Sequence, residues 1–184
     1  MKVLALACSP RIAGNSDVLL DKCIEGLKIN QKDITVEKVY IDKLNINPCK
    51  ACDYCKNENI GHCIHNDDMT NLVTLFKESD LWIIATPIYW WGPTAQLKLV
   101  MDRWYSFYKY SDLEKKKAGI IITMGDSKYK TAIPTILMFE MTFSYLNISS
   151  HQPLVITAYD KGEVLEKTEA LQDAFNYGKR LISF

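Results

Sequence analysis

The chain has 184 residues, enough for one domain with a single core and little more. Hydrophobic residues make up 48% and charged residues 24%, which excludes disordered and fibrous classes. The 22 basic side chains balance 22 acidic ones, so no overall field draws the chain to nucleic acid or an anionic membrane, and neither is expected as a partner.

The first element is Lys2–Ala7, an aliphatic run without polar alternation that predicts a strand covered on both faces. It is too short for a signal peptide, and no run of about 18 apolar residues follows, so a soluble cytoplasmic protein is expected. Next comes Cys8-Ser9-Pro10-Arg11-Ile12-Ala13-Gly14-Asn15-Ser16, leading into a helical pattern with Leu19, Leu20, Cys23, Ile24 and Leu27 on one face. The loop offers hydroxyls at Ser9 and Ser16 and a guanidinium at Arg11. Gly14 permits positive φ and close backbone approach, ahead of a helix start whose free N–H groups favour an anion. Together these features predict a phosphate site. Neither a Walker loop nor GxGxxG is present, and an ordinary turn capped by Ser16 or Asn15 would account for some of the same residues.

A second strand is predicted at Thr35–Ile41. It is followed, at about 47–66, by an insertion without hydrophobic period, containing Gly61 and Pro48-Cys49-x2-Cys52-x2-Cys55-x7-Cys63. Four thiols within 15 residues, in a chain expected to meet a reducing compartment, point to metal or redox chemistry before structural disulfides. A [4Fe–4S] cluster and zinc both accept this donor set. A loop without metal, folded as a lid or oxidised in air, fits as well. Cys8 and Cys23 read as small buried residues, and His62, His65 and His151 show no spacing that demands a ligand role. Asp67 or Asp68 is expected to cap a helix over Thr70–Glu78.

The third strand, Leu81–Ala85, opens into Thr86-Pro87-Ile88-Tyr89-Trp90-Trp91-Gly92-Pro93-Thr94. Three consecutive aromatics held by prolines, with Gly92 allowing a turn, suit a platform for a flat ring system, although tryptophans also serve cores and interfaces. Thr94 is placed to cap a helix bearing Leu97, Val100, Met101 and Trp104. The charged run Asp112–Lys117 reads as an exposed connection into the fourth strand, Ala118–Thr123, whose following loop places Gly125 near the same edge. Ile133–Leu146 is apolar nearly all round, as expected of a helix buried deeply or covered by a second subunit, the latter favoured in a chain of this length. A fifth strand at Leu154–Ala158 and a helix over Val164–Ile182 close the chain. Alternating strands and helices imply one α/β domain, 1–184, with a parallel sheet, right-handed crossovers and helices on both faces.

The loop SPRIAGNS and the segment TPIYWWGPTAQLKLVMDR resemble the NADPH-dependent FMN reductase group of flavodoxin-like proteins, and the likeness covers nearly the whole chain. It implies a flavodoxin-like sandwich with strand order 2-1-3-4-5. It also implies FMN phosphate held at Ser9, Arg11, Asn15 and Ser16, with Gly14 shaping the turn, although Cys8 stands where many relatives have glycine. The isoalloxazine is then bordered by Pro87, Ile88, Tyr89, Trp90, Trp91 and Gly92, with Gly125 beside it, while Lys98, Asp102 and Arg103 fall at positions that are structural or subunit-contact ones. The cysteine insertion resembles that of the iron-sulfur flavoproteins, with Cys49, Cys52, Cys55 and Cys63 as [4Fe–4S] ligands. The implied activity passes electrons from NAD(P)H through FMN to a quinone, small molecule, free flavin or protein acceptor, in a homodimer or homotetramer. The flavin carries the chemistry, and no side chain is needed as acid or base. Two further readings are an electron carrier with little NAD(P)H turnover and a flavin- or metal-sensing module.

Overall fold

The computed structural model describes residues 1–29, 33–57, 62–108 and 113–183; Gly61 and Asp112 lie outside them. The elements run β1 (Lys2–Ala7), α1 (Asn15–Lys28), β2 (Thr35–Tyr40), α2 (Met69–Glu78), β3 (Leu81–Pro87), α3 (Ala95–Asp102) and the single turn α4 (Tyr105–Tyr108). They continue with β4 (Lys117–Met124), α5 (Ile133–Tyr145), β5 (Ser149–Ser150), β6 (Leu154–Thr157) and α6 (Thr168–Arg180). All pairings are parallel, in the order β2-β1-β3-β4-β5, with β6 also on β4. The expected 2-1-3-4-5 order is therefore present, with its fifth position filled by two pieces. Pro153, which has no N–H for the ladder, stands in the break between them.

The double coverage that made the strands legible is a three-layer core. Val3, Ala5, Ala7, Leu81, Ile83 and Ala85 face α1 and α6, which contribute Leu19, Leu20, Cys23, Ala174, Tyr177 and Leu181. On the other face Leu4, Leu6, Trp82, Ile84, Ile120 and Ile122 meet Leu72, Phe76, Leu97, Val100, Phe139 and Phe143 from α2, α3 and α5. The helices α1 and α6 pack backbone to backbone through two glycines. A Cβ on Gly26 would lie 1.9 Å from the Phe175 carbonyl oxygen, and one on Gly178 1.9 Å from that of Cys23.

Two expectations change. The closing helix does not run from Val164: Glu163–Glu166 forms a separate 3₁₀ turn, and α6 begins only after Lys167, whose φ of −104° and ψ of 83° break the helix. The run before β4 is not simply exposed, because Leu113 is buried and the Lys116 ammonium donates to the carbonyls of Lys77 and Ser79. Within α5, Thr135, Ile136, Phe139 and Phe143 face inward, whereas Ile133, Leu137, Met141 and Tyr145, spaced four apart, face out, Met141 at 72% exposure. Among the described residues no helix is long and apolar enough to cross a membrane.

Candidate functional site

The chain leaves β1 and β3 at adjacent points of the sheet, and the loops that follow line one cavity of about 320 Å³. Ser9, Arg11, Gly14, Asn15 and Ser16 form one wall; Pro87, Ile88, Tyr89 and Gly125 contribute to the others. Nine of the twelve residues singled out from the sequence thus meet in one place.

In the first loop the Arg11 N–H donates to Ser9 Oγ (3.0 Å), and the Gly14 N–H donates to the Arg11 carbonyl (2.9 Å). The left-handed residue is Ala13, at φ 55°, not Gly14, whose φ of −78° is ordinary. Gly14 is required for space instead: a Cβ there would come within 2.7 Å of the Arg11 carbonyl oxygen. Neither Ser16 nor Asn15 caps α1; Gly14 occupies the cap position without a side-chain bond, and Asp17 accepts from the Ala13 N–H (2.8 Å). The opposite oxygen of Asp17 faces the Lys38 ammonium at 2.7 Å, so this buried carboxylate is compensated from β2. Burial alone would lower the Lys38 pKa, but its bonds to Asp17, Asp21 and Tyr40 raise it. With the acidic group neutralised behind the loop, the N–H groups of the first turn of α1 and the Arg11 guanidinium present a net positive face to the cavity.

The Asn15 amide is already engaged. It donates to the Asp160 carbonyl (2.8 Å) and accepts from the Val164 N–H (3.3 Å), drawing the loop after β6 against the loop after β1. That loop adds Ala158, Tyr159, Asp160 and Lys161 to the cavity wall, and the end of β4 adds Thr123 and Met124. Thr123 and Met124 belong to the loop expected beside Gly125, whereas Tyr159, Asp160 and Lys161 were not singled out from the sequence. Glu163 shapes the loop by accepting from the N–H groups of Tyr159 (2.6 Å) and Asp160 (2.9 Å). Its bond with Lys167, then those two N–H groups, hold its carboxyl down at about 2. Gly125 has no Cβ where the Tyr159 ring passes, 2.6 Å from where one would stand. Beside it, the Thr131 hydroxyl and then the Lys128 N–H hold the Asp126 carboxyl below its usual range.

The second loop is tied to the first. Buried Thr94 donates its hydroxyl to the Cys8 carbonyl (2.6 Å) and caps α3 by accepting from the Leu97 N–H (3.3 Å), as expected. The Ile88 N–H donates to the Thr123 carbonyl (2.8 Å). Tyr89 and Gly92 then exchange backbone hydrogen bonds around a two-residue turn in which Trp90 (φ 51°) and Trp91 (φ 62°) are both left-handed, a conformation costly for bulky side chains. Gly92 itself needs no special φ, contrary to expectation. Of the three aromatics only Tyr89 lines the cavity. Trp90 is 89% exposed and stands against Trp91, ring centroids 5.8 Å apart; both, with Gly92, lie outside the cavity wall.

Cys49, Cys52, Cys55 and Cys63 line a different cavity together with Asp102 and Tyr105. Cys49 and Cys52 are exposed, and burial first, then the neighbouring Cys63, Cys49 and Cys52, raise the Cys55 thiol pKa. No group of three or more His, Cys, Asp or Glu side chains among the described residues is arranged as a ready metal site. The donor set nevertheless fits a thiophilic metal, whose positive charge would reverse the mutual repulsion of the thiolates. Cys8 and Cys23 are buried, as expected.

The neck of this loop is closed by a buried ion pair. Arg103, just beyond α3, donates through Nη1 and Nη2 to both oxygens of Asp67 (2.9 and 3.1 Å) and through Nη1 to the Asn47 carbonyl (2.9 Å). Asp67 also accepts from the Asn47 N–H and amide, and both charged side chains are 1% exposed. Asp67 therefore clamps the loop, with a 3.2 Å bond to the Met69 N–H, while the Asp68 carboxylate accepts from the Asn45 N–H. Lys98 pairs with Asp102.

A family model described as NADPH-dependent FMN reductase matches residues 1–159. An iron-sulfur flavoprotein of Methanocaldococcus jannaschii is 30% identical over 98% of this chain and 95% of its own length. One of Archaeoglobus fulgidus is 36% identical over 66% of this chain; the match spans about half that relative's length, 54%. The solved structure of an NAD(P)H:quinone oxidoreductase from Methanothermobacter marburgensis superposes with a TM-score of 0.74 at 18% identity, covering 98% of this chain and 94% of that one.

Burial alone would raise the Asp67 pKa, but Arg103 and then Asn47 hold it well below the usual carboxylate range. A depressed folded pKa stabilises above the unfolded value of about 4, and the contribution is lost as pH falls through the folded one. Arg103→Met leaves Asp67 buried without its partner and should cost about 3–5 kcal/mol in guanidinium unfolding at pH 7. Asp67→Asn should flatten the loss of stability below pH 4. Wild-type stability in Arg103→Met would refute the clamp.

Proposed function

The chain belongs to the NADPH-dependent FMN reductase family, and from that premise we propose that the cavity between its first and third strands binds FMN. The observation that carries this reading is the convergence of Ser9–Ser16, Pro87–Tyr89 and Gly125 on one cavity. Gly14 and Gly125 both lie on that wall, where a Cβ would meet the Arg11 carbonyl oxygen and the Tyr159 ring, so glycine preserves the shape of the loops that line it. The Arg11 guanidinium and the opening N–H groups of α1 hold the phosphate. Pro87, Ile88 and Tyr89 border the ring system from the β3 side, and Gly125 with Tyr159 from the other.

Bound FMN supplies the hydride and electron chemistry, and the protein supplies position and electrostatics. NAD(P)H is the donor; a quinone, small molecule, free flavin or protein partner is the acceptor. Donor and acceptor use the same open face in turn. No side chain is assigned as acid or base. Arg11→Ala should weaken FMN binding by about 1.5–3 kcal/mol in a fluorescence titration, the worth of a charge-assisted hydrogen bond. Unchanged affinity would reject the phosphate assignment.

The four-thiol loop favours a second reading of the same fold, an electron carrier whose Cys49, Cys52, Cys55 and Cys63 hold a [4Fe–4S] cluster. Protein purified without oxygen should contain iron and sulfide, and replacement of Cys52 and Cys55 by serine should remove both while FMN remains. Iron-free protein would end that reading, and rapid reduction of bound flavin by NADPH in stopped flow would favour the enzyme over the carrier.

The outward face of α5, where Ile133, Leu137, Met141 and Tyr145 are exposed, supports burial by a second copy in a homodimer or homotetramer. Met141→Glu should then shift sedimentation toward the monomer. A wild-type protein that is already monomeric would exclude the assembly.

A further inference from the structure

A buried carboxylate holds the turn that leaves β1. Asp17, in the first turn of α1, has a side chain only 5% exposed. Its Oδ2 accepts from the Ala13 N–H (2.8 Å), and its Oδ1 meets the Lys38 ammonium as an ion pair at 2.7 Å. The first contact shapes the turn, since Ala13 is left-handed at φ 55°. It also puts a negative charge into the same helix start and loop that would receive an anion, where it opposes a phosphate.

The formal charges show what that opposition amounts to. Among the residues lining the cavity Arg11 is positive, while Asp160 and Lys161 cancel each other. An uncompensated Asp17 would cancel Arg11 and leave a dianionic phosphate no net attraction. Lys38 removes that opposition from outside the site. It lines no part of the cavity and stands on β2 beside Ala5 of β1. Its side chain is 19% exposed, and the ammonium lies 4.9 Å from the centre of the Tyr40 ring, so solvent screens its charge little. Asp21, the second carboxylate on Lys38, is 56% exposed and screened by water, so Asp17 is the one that depends on this cation.

We propose that Lys38 is a positioning residue for the FMN phosphate: without touching the ligand, it neutralises Asp17, so that the turn keeps its carboxylate-held shape and still attracts an anion. The proposal rests on the FMN reading of the cavity.

A double-mutant cycle on the full chain tests it. The readout is the ratio of the riboflavin and FMN dissociation constants of the apoprotein, because a merely structural change weakens both flavins alike. Asp17→Asn keeps an acceptor for the Ala13 N–H, and near-UV circular dichroism establishes that each variant keeps its packing. Lys38→Met should lower the preference for FMN about tenfold and Asp17→Asn should raise it by a similar factor, as one unit charge in partly buried surroundings does. The double variant should return to the wild-type preference. Should Lys38→Met alone fail to pack, the rise in Asp17→Asn and its reversal in the double variant decide the matter. A preference unmoved by either substitution, or a double variant that does not return to the wild-type preference, would overturn the proposal and leave the FMN reading intact. Wild-type protein that binds both flavins equally would reject the FMN reading, and the proposal with it.

Discussion

At the carboxyl edge of the sheet Ala7 of β1 lies beside Ala85 of β3, and the Cys8 N–H donates to the Ala85 carbonyl at 2.9 Å. One residue later the two chains part. The first turns to α1 on one face, and the other runs to α3 on the opposite face. A crevice opens wherever neighbouring parallel strands send their connections to opposite sides, and ligands of such sheets collect there. The Thr94 hydroxyl, donating to the Cys8 carbonyl, keeps the two departing loops in register, so the crevice has fixed walls.

The loops around this crevice adopt conformations that ordinary side chains resist. Ala13, Trp90 and Trp91 are left-handed without being glycine, and the glycines that are present serve chiefly to admit close neighbours. Such positions persist only when the surroundings over-determine them. Here the surroundings are specific: Asp17 under Ala13, the paired Tyr89 and Gly92 backbones around the tryptophans, and the Thr135 hydroxyl on the Trp91 carbonyl. The cysteine loop is stabilised by another means, a buried ion pair at its neck.

The fold was legible in the sequence because strands buried on both faces leave aliphatic runs that no other element of this length explains, and the two loops because each is one continuous stretch. What the sequence hid depends on contacts across distance. Tyr159–Lys161 reaches the cavity only because β6 lies beside β4 and Asn15 binds the Asp160 carbonyl, 145 positions away. Asp67 reads locally as a helix cap, yet its partner Arg103 is 36 residues on. The tryptophans suit a platform by residue type, yet the turn that carries them leaves both exposed and outside the lining of the cavity, a placement that depends on their left-handed φ. Pro153 was a visible sign that the last strand would be interrupted.

In the proposed FMN site the turn between β1 and α1 grips the phosphate of a flavin lying against Pro87–Tyr89. Comparing the dissociation constants of FMN and riboflavin for the apoprotein isolates that grip, because the two ligands share the ring system and differ only in the phosphate. FMN should bind tighter by about a hundredfold or more, as two or more charge-assisted hydrogen bonds require. Equal affinity, or no affinity for either, would contradict it.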